Sequence, residues 1–263
     1  MIELRARSGD AVVEVEPDHG GRVGQITIDG TAILVGHRPD LPPLGWGWYP
    51  MVPWAGRVRD GTFTFDGTTF ELPRTMRPHA IHGTGWLQRW SVDDDGDEHV
   101  AMSCTLDWPL GGGATHVIHV EPDRVVATLS VRAGDRAMPA VIGWHPWFVK
   151  PDRLDVSFAA MYVRDAEGIT LDELVSPRPR PWDDCFVRPA HPPEVRIGDL
   201  SVVVDSDCDH WVVYDELPGA TCVEPQSGPP DAFNMAGRAT RLAPGEELRR
   251  TMQIRWESPD RAT

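Results

Sequence analysis

Along much of the chain, apolar and polar residues alternate with a period of two. Val13-Glu14-Val15-Glu16 is the simplest case. In an extended strand, alternation of this kind sends one set of side chains to each face, so the pattern predicts half-buried β-strands. Three pairs of such runs are joined by turn residues. Gln25–Ile28 and Thr31–Val35 flank Asp29-Gly30, and Thr62–Phe65 and Thr68–Leu72 flank Asp66-Gly67. Asp-Gly between β-rich runs suits a type I′ hairpin turn, which needs positive φ at both central residues. Thr115–Glu121 and Arg124–Arg132 flank Pro122-Asp123 and read as a third hairpin.

Further strands are predicted over His99–Trp108, Leu154–Val163, Leu200–Val204, Trp211–Tyr214 and Arg249–Trp256. The longest stretch without Gly or Pro, Asp199–Leu217, is rich in Val and alternates, which favours strand over helix. Ile169–Val175 is short enough to form a helical turn. Ser176–Pro193 is rich in Pro. Its Trp182 and Phe186 favour a loop packed on the protein body over a linker between domains.

With 25 Gly and 25 Pro spread along 263 residues, helices of average length have little room. No repeat and no low-complexity segment is present. The expected fold is therefore all-β: one domain over residues 1–263, a large antiparallel β-sandwich of many short strands.

A net charge of −15 opposes binding to phosphate backbones, so nucleic acid is not an expected partner, and it weighs mildly against a strongly anionic substrate. The N-terminus carries Glu3 and Arg5 with no long apolar run behind them. No stretch approaches the roughly 18 to 20 apolar residues that span a bilayer. The expectation is a cytoplasmic protein without membrane partners. Cys104, Cys185, Cys208 and Cys222 form no C-x-x-C pair and read as isolated reduced thiols. Tryptophan is abundant, 11 residues against 3 Tyr and 7 Phe. Core packing is its usual role, although an indole face also docks the flat C–H face of a sugar.

Four segments break the strand rhythm with dense polar, Gly and Pro content: 53–58, 79–86, 143–148 and 223–234. His145 sits between Trp144 and Trp147 and before Pro146. In such a setting a His is either a packed core residue or a proton donor whose pKa a nearby carboxylate raises. Glu224 follows a Val-rich run and precedes Pro225. It is either solvated or held at a cleft rim by the following prolines, where a general base would stand. Arg57 is either a surface residue or a donor fork for sugar hydroxyls. His79 and His82 form H-x-x-H, a spacing that aligns two metal ligands on a helix but not on a strand or loop, and no third ligand is nearby. Asp183-Asp184 is either solvated or a hydroxyl acceptor. His116 and His119 lie at odd spacing on a strand and face opposite sides. No dinucleotide-binding, P-loop or nucleophile-elbow motif is present.

Taken in order, these segments resemble the aldose 1-epimerase (galactose mutarotase) family. The matching elements are an Arg step at Arg57, His82-Gly83, His145-Pro146-Trp147-Phe148, Glu224-Pro225 with Asp231-Ala232-Phe233-Asn234, and a closing turn at 242–246. The resemblance covers about Ala11 to Trp256. It implies a large antiparallel β-sandwich with a shallow cleft, a free-sugar substrate, and neither metal nor organic cofactor. His145 matches the family's general acid and Glu224 its general base. Arg57, His82 and Asp183 match substrate binders, with Asp183 chosen over Asp184 by its distance to Phe186. Two positions depart from the pattern: Gly56 stands where many relatives have Asn, and Trp144 precedes His145 where the best-known galactose mutarotases have Asn. Both leave the identity of the sugar open, and the oligomer, monomer or homodimer, is open as well. Three competing readings are an epimerase of hexose 6-phosphates using Arg74 and Arg77, a non-catalytic sugar-binding sandwich, and a glycoside hydrolase using Glu224 and Asp183.

Overall fold

The computed structural model describes residues 1–257 apart from Asp10. They form an 11-stranded sheet and an 8-stranded sheet, with three separate two-stranded ribbons. All recorded strand pairs within the two large sheets are antiparallel. The three predicted hairpins are present, with Thr27 facing Ala32, Phe63 facing Phe70 and Val120 facing Val125. Asp29 and Asp66 take φ of 49° and 50°, the left-handed geometry that the Asp-Gly turns need. Among the described residues no helix is long and apolar enough to cross a membrane.

The inward faces of the two sheets meet in one hydrophobic cluster, which includes Ile118, Leu129 and Ile254 from the smaller sheet and Trp48, Trp144 and Phe148 from the larger. One buried hydrogen bond ties the sheets together at this level: Trp144 Nε1–H donates to His116 Nε2 at 3.0 Å. His116 Nδ1–H in turn donates to the carbonyl of Gly21 at 2.9 Å. Burial pushes His116 down to about 4, which keeps the ring neutral and its Nε2 an acceptor. His119, three residues on, has its side chain at the exposed face of the same strand.

Several expectations need correction. The run Leu154–Val163 is two strands, Arg153–Asp155 in the smaller sheet and Phe158–Arg164 in the larger, so the chain changes sheet at residues 156–157. Asp199–Leu217 crosses between sheets in the same way, as Leu200–Ser206 and His210–Tyr214. The predicted helical turn at Ile169–Val175 is instead an edge strand, Thr170–Val175. Its backbone is satisfied by pairing Leu174 with Tyr162 and Val175 with Met161. The Pro-rich 176–193 segment contains a central strand, Asp183–Pro189, paired on both sides. Its prolines precede the strand, follow it or, at Pro189, end it, and fully buried Phe186 anchors it against Phe158 and Trp182.

His145 and Glu224 also sit on different structure from that expected. Both lie within strands, Gly143–Val149 and Ala220–Gln226, at the middle of the larger sheet rather than on loops or at a rim. Pro146 and Pro225 lack the N–H that a ladder uses, and pairing between these strands is recorded only at their ends: Gly143 with Gln226, and 147–149 with 220–222. The two prolines thus sit inside a central sheet at the one stretch where the ladder opens.

Candidate active site

The site is built on one face of five adjacent strands. Gly143 faces Gln226 and Trp147 faces Cys222. Two residues inward from either pair, His145 stands opposite Glu224. On the far side of His145 lies its partner Tyr49. On the far side of Glu224 lies Val212, which in turn faces Cys185. Cross-strand partners share a face, and so do residues two apart on one strand. Tyr49, His145, Glu224, Val212 and Cys185 therefore form one row, with Trp147, Tyr214 and Asp183 along one side and Gln226 on the other. All of them line a cavity of about 170 Å³.

Stacking and hydrogen bonds fix the two central groups. The His145 ring stacks on Tyr49 at 4.8 Å and on Trp147 at 5.0 Å between centroids. Its Nε2 is 3.2 Å from Glu224 Oε1. The other carboxyl oxygen, Oε2, accepts a hydrogen bond from Gln226 Nε2 at 3.2 Å. His145 is 5 % exposed and Glu224 2 %. Burial disfavours charge on both: it pushes His145 down to about 3 and raises Glu224 well above its ordinary value, Asp183 adding to the rise. Gln226 and Arg57 act on Glu224 in the opposite direction. The pair shares one proton, and the single-proton state has two forms, neutral His145 with Glu224 carboxylic acid, or imidazolium with carboxylate.

His82 enters from the turn after strand Ala80–Ile81. Its φ of 58° and the φ of 75° at Gly83 make a left-handed pair. A Cβ on Gly83 would stand 1.8 Å from the carbonyl oxygen of Val52, so only glycine fits there. His82 Nδ1 accepts the N–H of Gly56 at 3.2 Å. That bond places the ring proton on Nε2, because an Nδ1 that accepts carries no hydrogen. Burial holds the ring neutral, with His145 and Arg57 adding to the effect. His82 thus faces the cavity as a donor. Gly56 has no room for a side chain, since a Cβ would lie 2.5 Å from Pro230.

The donor atoms of His82, His145 and Glu224 lie within 4.8 Å of one another, a set with the composition of a zinc site. A metal-bound His normally donates its second ring N–H to an acceptor. His82 has the reverse arrangement, a backbone donor at Nδ1, so this donor set does not fit a metal. His79 is turned to a separate task, with Nδ1 accepting the N–H of Asp60 at 3.0 Å.

Asp183 closes the other end of the cavity. Its Oδ2 is shared by Arg57, at 3.5 Å, and by a closer contact to Arg164. Arg57 also donates to the carbonyl of Gly168 at 3.4 Å. Asp184 borders the same cavity, but its Oδ2 pairs with Arg178 at 2.5 Å, and it has the opposite strand parity. The structure therefore brings together all five expected residues, Arg57, His82, His145, Asp183 and Glu224. Arg74 and Arg77 are not among the residues lining the cavity. Tyr49, Trp147, Arg164 and Gln226 line it without having been singled out. Trp147 carried a signal in the excess of Trp, and Gln226 one in its period-two spacing from Glu224. Arg164 carried none, because only sheet order brings its strand beside Asp183.

Comparison with known proteins points to the family that the sequence motifs resemble. The family model described as aldose 1-epimerase matches residues 17–255. The chain is similar to the uncharacterised protein YphB of Escherichia coli K12, 24 % identical over 278 residues, covering 91 % of this chain and 94 % of that one. In fold it is similar to a galactose mutarotase-like protein from Clostridium acetobutylicum, at TM-score 0.86 and 18 % identity, covering 97 % and 94 % of the two chains. It is also similar to the galactose 1-epimerase of Lactobacillus acidophilus, at TM-score 0.78 and 16 % identity, covering 97 % and 93 %. By the extent of the family match and by its fold, the chain belongs to the aldose 1-epimerase family.

Proposed function

We propose that this protein interconverts the α and β anomers of a free aldohexose, with His145 and Glu224 as the acid–base pair. The observation that carries the reading is the 3.2 Å contact between His145 Nε2 and Glu224 Oε1 in a cavity also lined by Arg57, His82 and Asp183. Anomer exchange needs one proton taken from the anomeric hydroxyl and one given to the ring oxygen. In the ion-pair form, carboxylate Glu224 removes the hydroxyl proton while imidazolium His145 protonates the ring oxygen. The C1–O5 bond breaks and the open-chain aldehyde forms. The pair then holds its proton on Glu224, with His145 neutral.

Rotation about C1–C2 presents the other carbonyl face. Closure runs the same transfers backwards: His145 takes the proton of the O5 hydroxyl as O5 attacks C1, and Glu224 returns its proton to O1. The cycle alternates between the two single-proton forms of the pair and needs no proton from solvent. Assistance of this kind is worth about 10²–10⁴-fold. Arg57, the fixed Nε2–H donor of His82 and the Asp183 carboxylate hold the hydroxyls, which keeps the aldehyde in place until it closes. Asp183 is committed to two guanidiniums, which argues against its acting as the proton donor of a glycoside hydrolase.

Polarimetry on freshly dissolved α-anomers tests the proposal. Free hexoses are expected to equilibrate faster with the protein than without it, and faster than hexose 6-phosphates at equal protein concentration. Acceleration confined to the phosphorylated sugars would move the assignment to a hexose-6-phosphate 1-epimerase. Sugar binding with no acceleration of either would make the protein a binding module.

A further inference from the structure

We infer that Gln226 is a positioning residue of this site: its amide N–H holds Glu224 Oε2 so that Oε1 meets His145, and its carbonyl oxygen is left for a hydroxyl of the bound sugar. The inference rests on the mutarotase reading only for its second half. Gln226 is fully buried and lines the cavity. It follows Glu224 by two residues on the same strand, so the two side chains share a face. Its Nε2 donates to Glu224 Oε2 at 3.2 Å, while its Oε1 is buried with no hydrogen-bond partner among the described residues. A buried carbonyl without a partner is costly, and because Gln226 lines the cavity a hydroxylated ligand seated there can supply one.

The amide orientation follows from chemistry. In the imidazolium–carboxylate form Glu224 only accepts, so there the NH₂ end faces it, as in the observed Nε2–Oε2 contact. With Oε1 at His145 and Oε2 at Gln226, both carboxyl oxygens are engaged and the plane of the group is fixed. Gly143 is the cross-strand partner of Gln226, and a Cβ there would lie 3.1 Å from Gln226 Cγ and 2.4 Å from the carbonyl oxygen of Pro225. The glycine leaves the glutamine its space. The donor also favours the ionised form of Glu224, the form that accepts the anomeric proton. His145, Asp183, Arg57, Tyr49, Cys185 and Cys222 are the other groups that act on Glu224. A change at Gln226 leaves all six in the chain, so a shift in Glu224 reports the lost amide.

The test is a carboxyl ¹³C titration of Glu224 by NMR in the wild type and in Gln226→Leu and Gln226→Met, read alongside the pH profile of kcat/KM. In either folded variant the Glu224 titration is expected to move up by about one unit or more, the alkaline limb of kcat/KM to move with it, and kcat to fall about tenfold or more. An unmoved Glu224 titration in a folded variant overturns the positioning role. Should neither variant fold, the wild type decides. Its Gln226 side-chain NH₂ resonances are expected to shift as Glu224 titrates, and resonances that stay still while the carboxyl titrates overturn the inference. A Glu224 shift in the variants, combined with no anomer exchange by the wild type, would retain the positioning role and reject the mutarotase reading.

Discussion

His145 and Glu224 are cross-strand neighbours in the centre of an 11-stranded sheet, joined at 3.2 Å and each followed by a proline that interrupts the ladder between their strands. Reactive groups on adjacent central strands are held more firmly than groups on loops. The π-stack of Tyr49 and Trp147 on His145 and the Gln226 amide on Glu224 leave neither group free to turn.

Glu224→Gln removes the proton acceptor and keeps the side-chain volume. The variant should stay folded and lose about 10²–10⁴-fold in anomer-exchange rate. Polarimetry and thermal unfolding on the same preparation check both halves. Exchange at the wild-type rate would remove Glu224 from the mechanism.

The pH profile follows from burial. On acidification, the pair gains a second proton only near the depressed value of His145, about 3, rather than at the ordinary 6.5. On the alkaline side, it loses its one proton as the raised value of Glu224 is passed. Activity above the spontaneous rate should therefore hold steady through the ordinary histidine range, fall on the acid side only toward pH 3, and fall on the alkaline side as Glu224 ionises. A midpoint of activity loss near 6.5 on the acid side would show that His145 titrates as a solvated imidazole.

Asp183 and Asp184 separate by function. Asp183 shares its Oδ2 between Arg57 and Arg164 at the cavity, whereas Asp184 is 4 % exposed and pairs with Arg178. Asp183→Asn should raise KM about tenfold or more, since hydrogen bonds to charged groups are worth about 1.5–3 kcal/mol. Asp184→Asn should lower the melting temperature and leave KM near that of the wild type. Steady-state kinetics with calorimetry on the two variants distinguishes them, and the reverse pattern would assign the sugar contact to Asp184.

Gly83 is the steric hinge behind His82. Gly83→Ala drives a Cβ into the Val52 carbonyl at a φ of 75°. A loss of about 3 kcal/mol or more in unfolding free energy is expected from the combined clash and strain. Denaturant unfolding measures it, and a variant as stable as the wild type would mean that this turn is free to relax.

The hairpins were legible because Asp-Gly turns and period-two runs are local signals, and the order of the sequence motifs was enough to bring His82, His145 and Glu224 to one site. The strands that carry the central pair were harder to read. Pro146 and Pro225 argue against central strands, and only the paired interruption of one ladder makes both acceptable. Asp183–Pro189 was hidden by the prolines around it. Arg164 is invisible without the sheet order, because 19 residues and an edge strand separate it from Asp183. The donor role of His82 was out of reach too, since it depends on a backbone N–H from Gly56, distant in sequence.

Opening and closing of a sugar ring by the His145–Glu224 pair is read out by two-dimensional exchange NMR on free glucose and galactose at anomeric equilibrium. With wild-type protein, α–β cross-peaks are expected to build up far faster than in buffer, and with an equal concentration of folded His145→Ala at the buffer rate. Wild-type cross-peaks no faster than buffer for every aldose tried, or a His145→Ala variant as fast as the wild type, would contradict it.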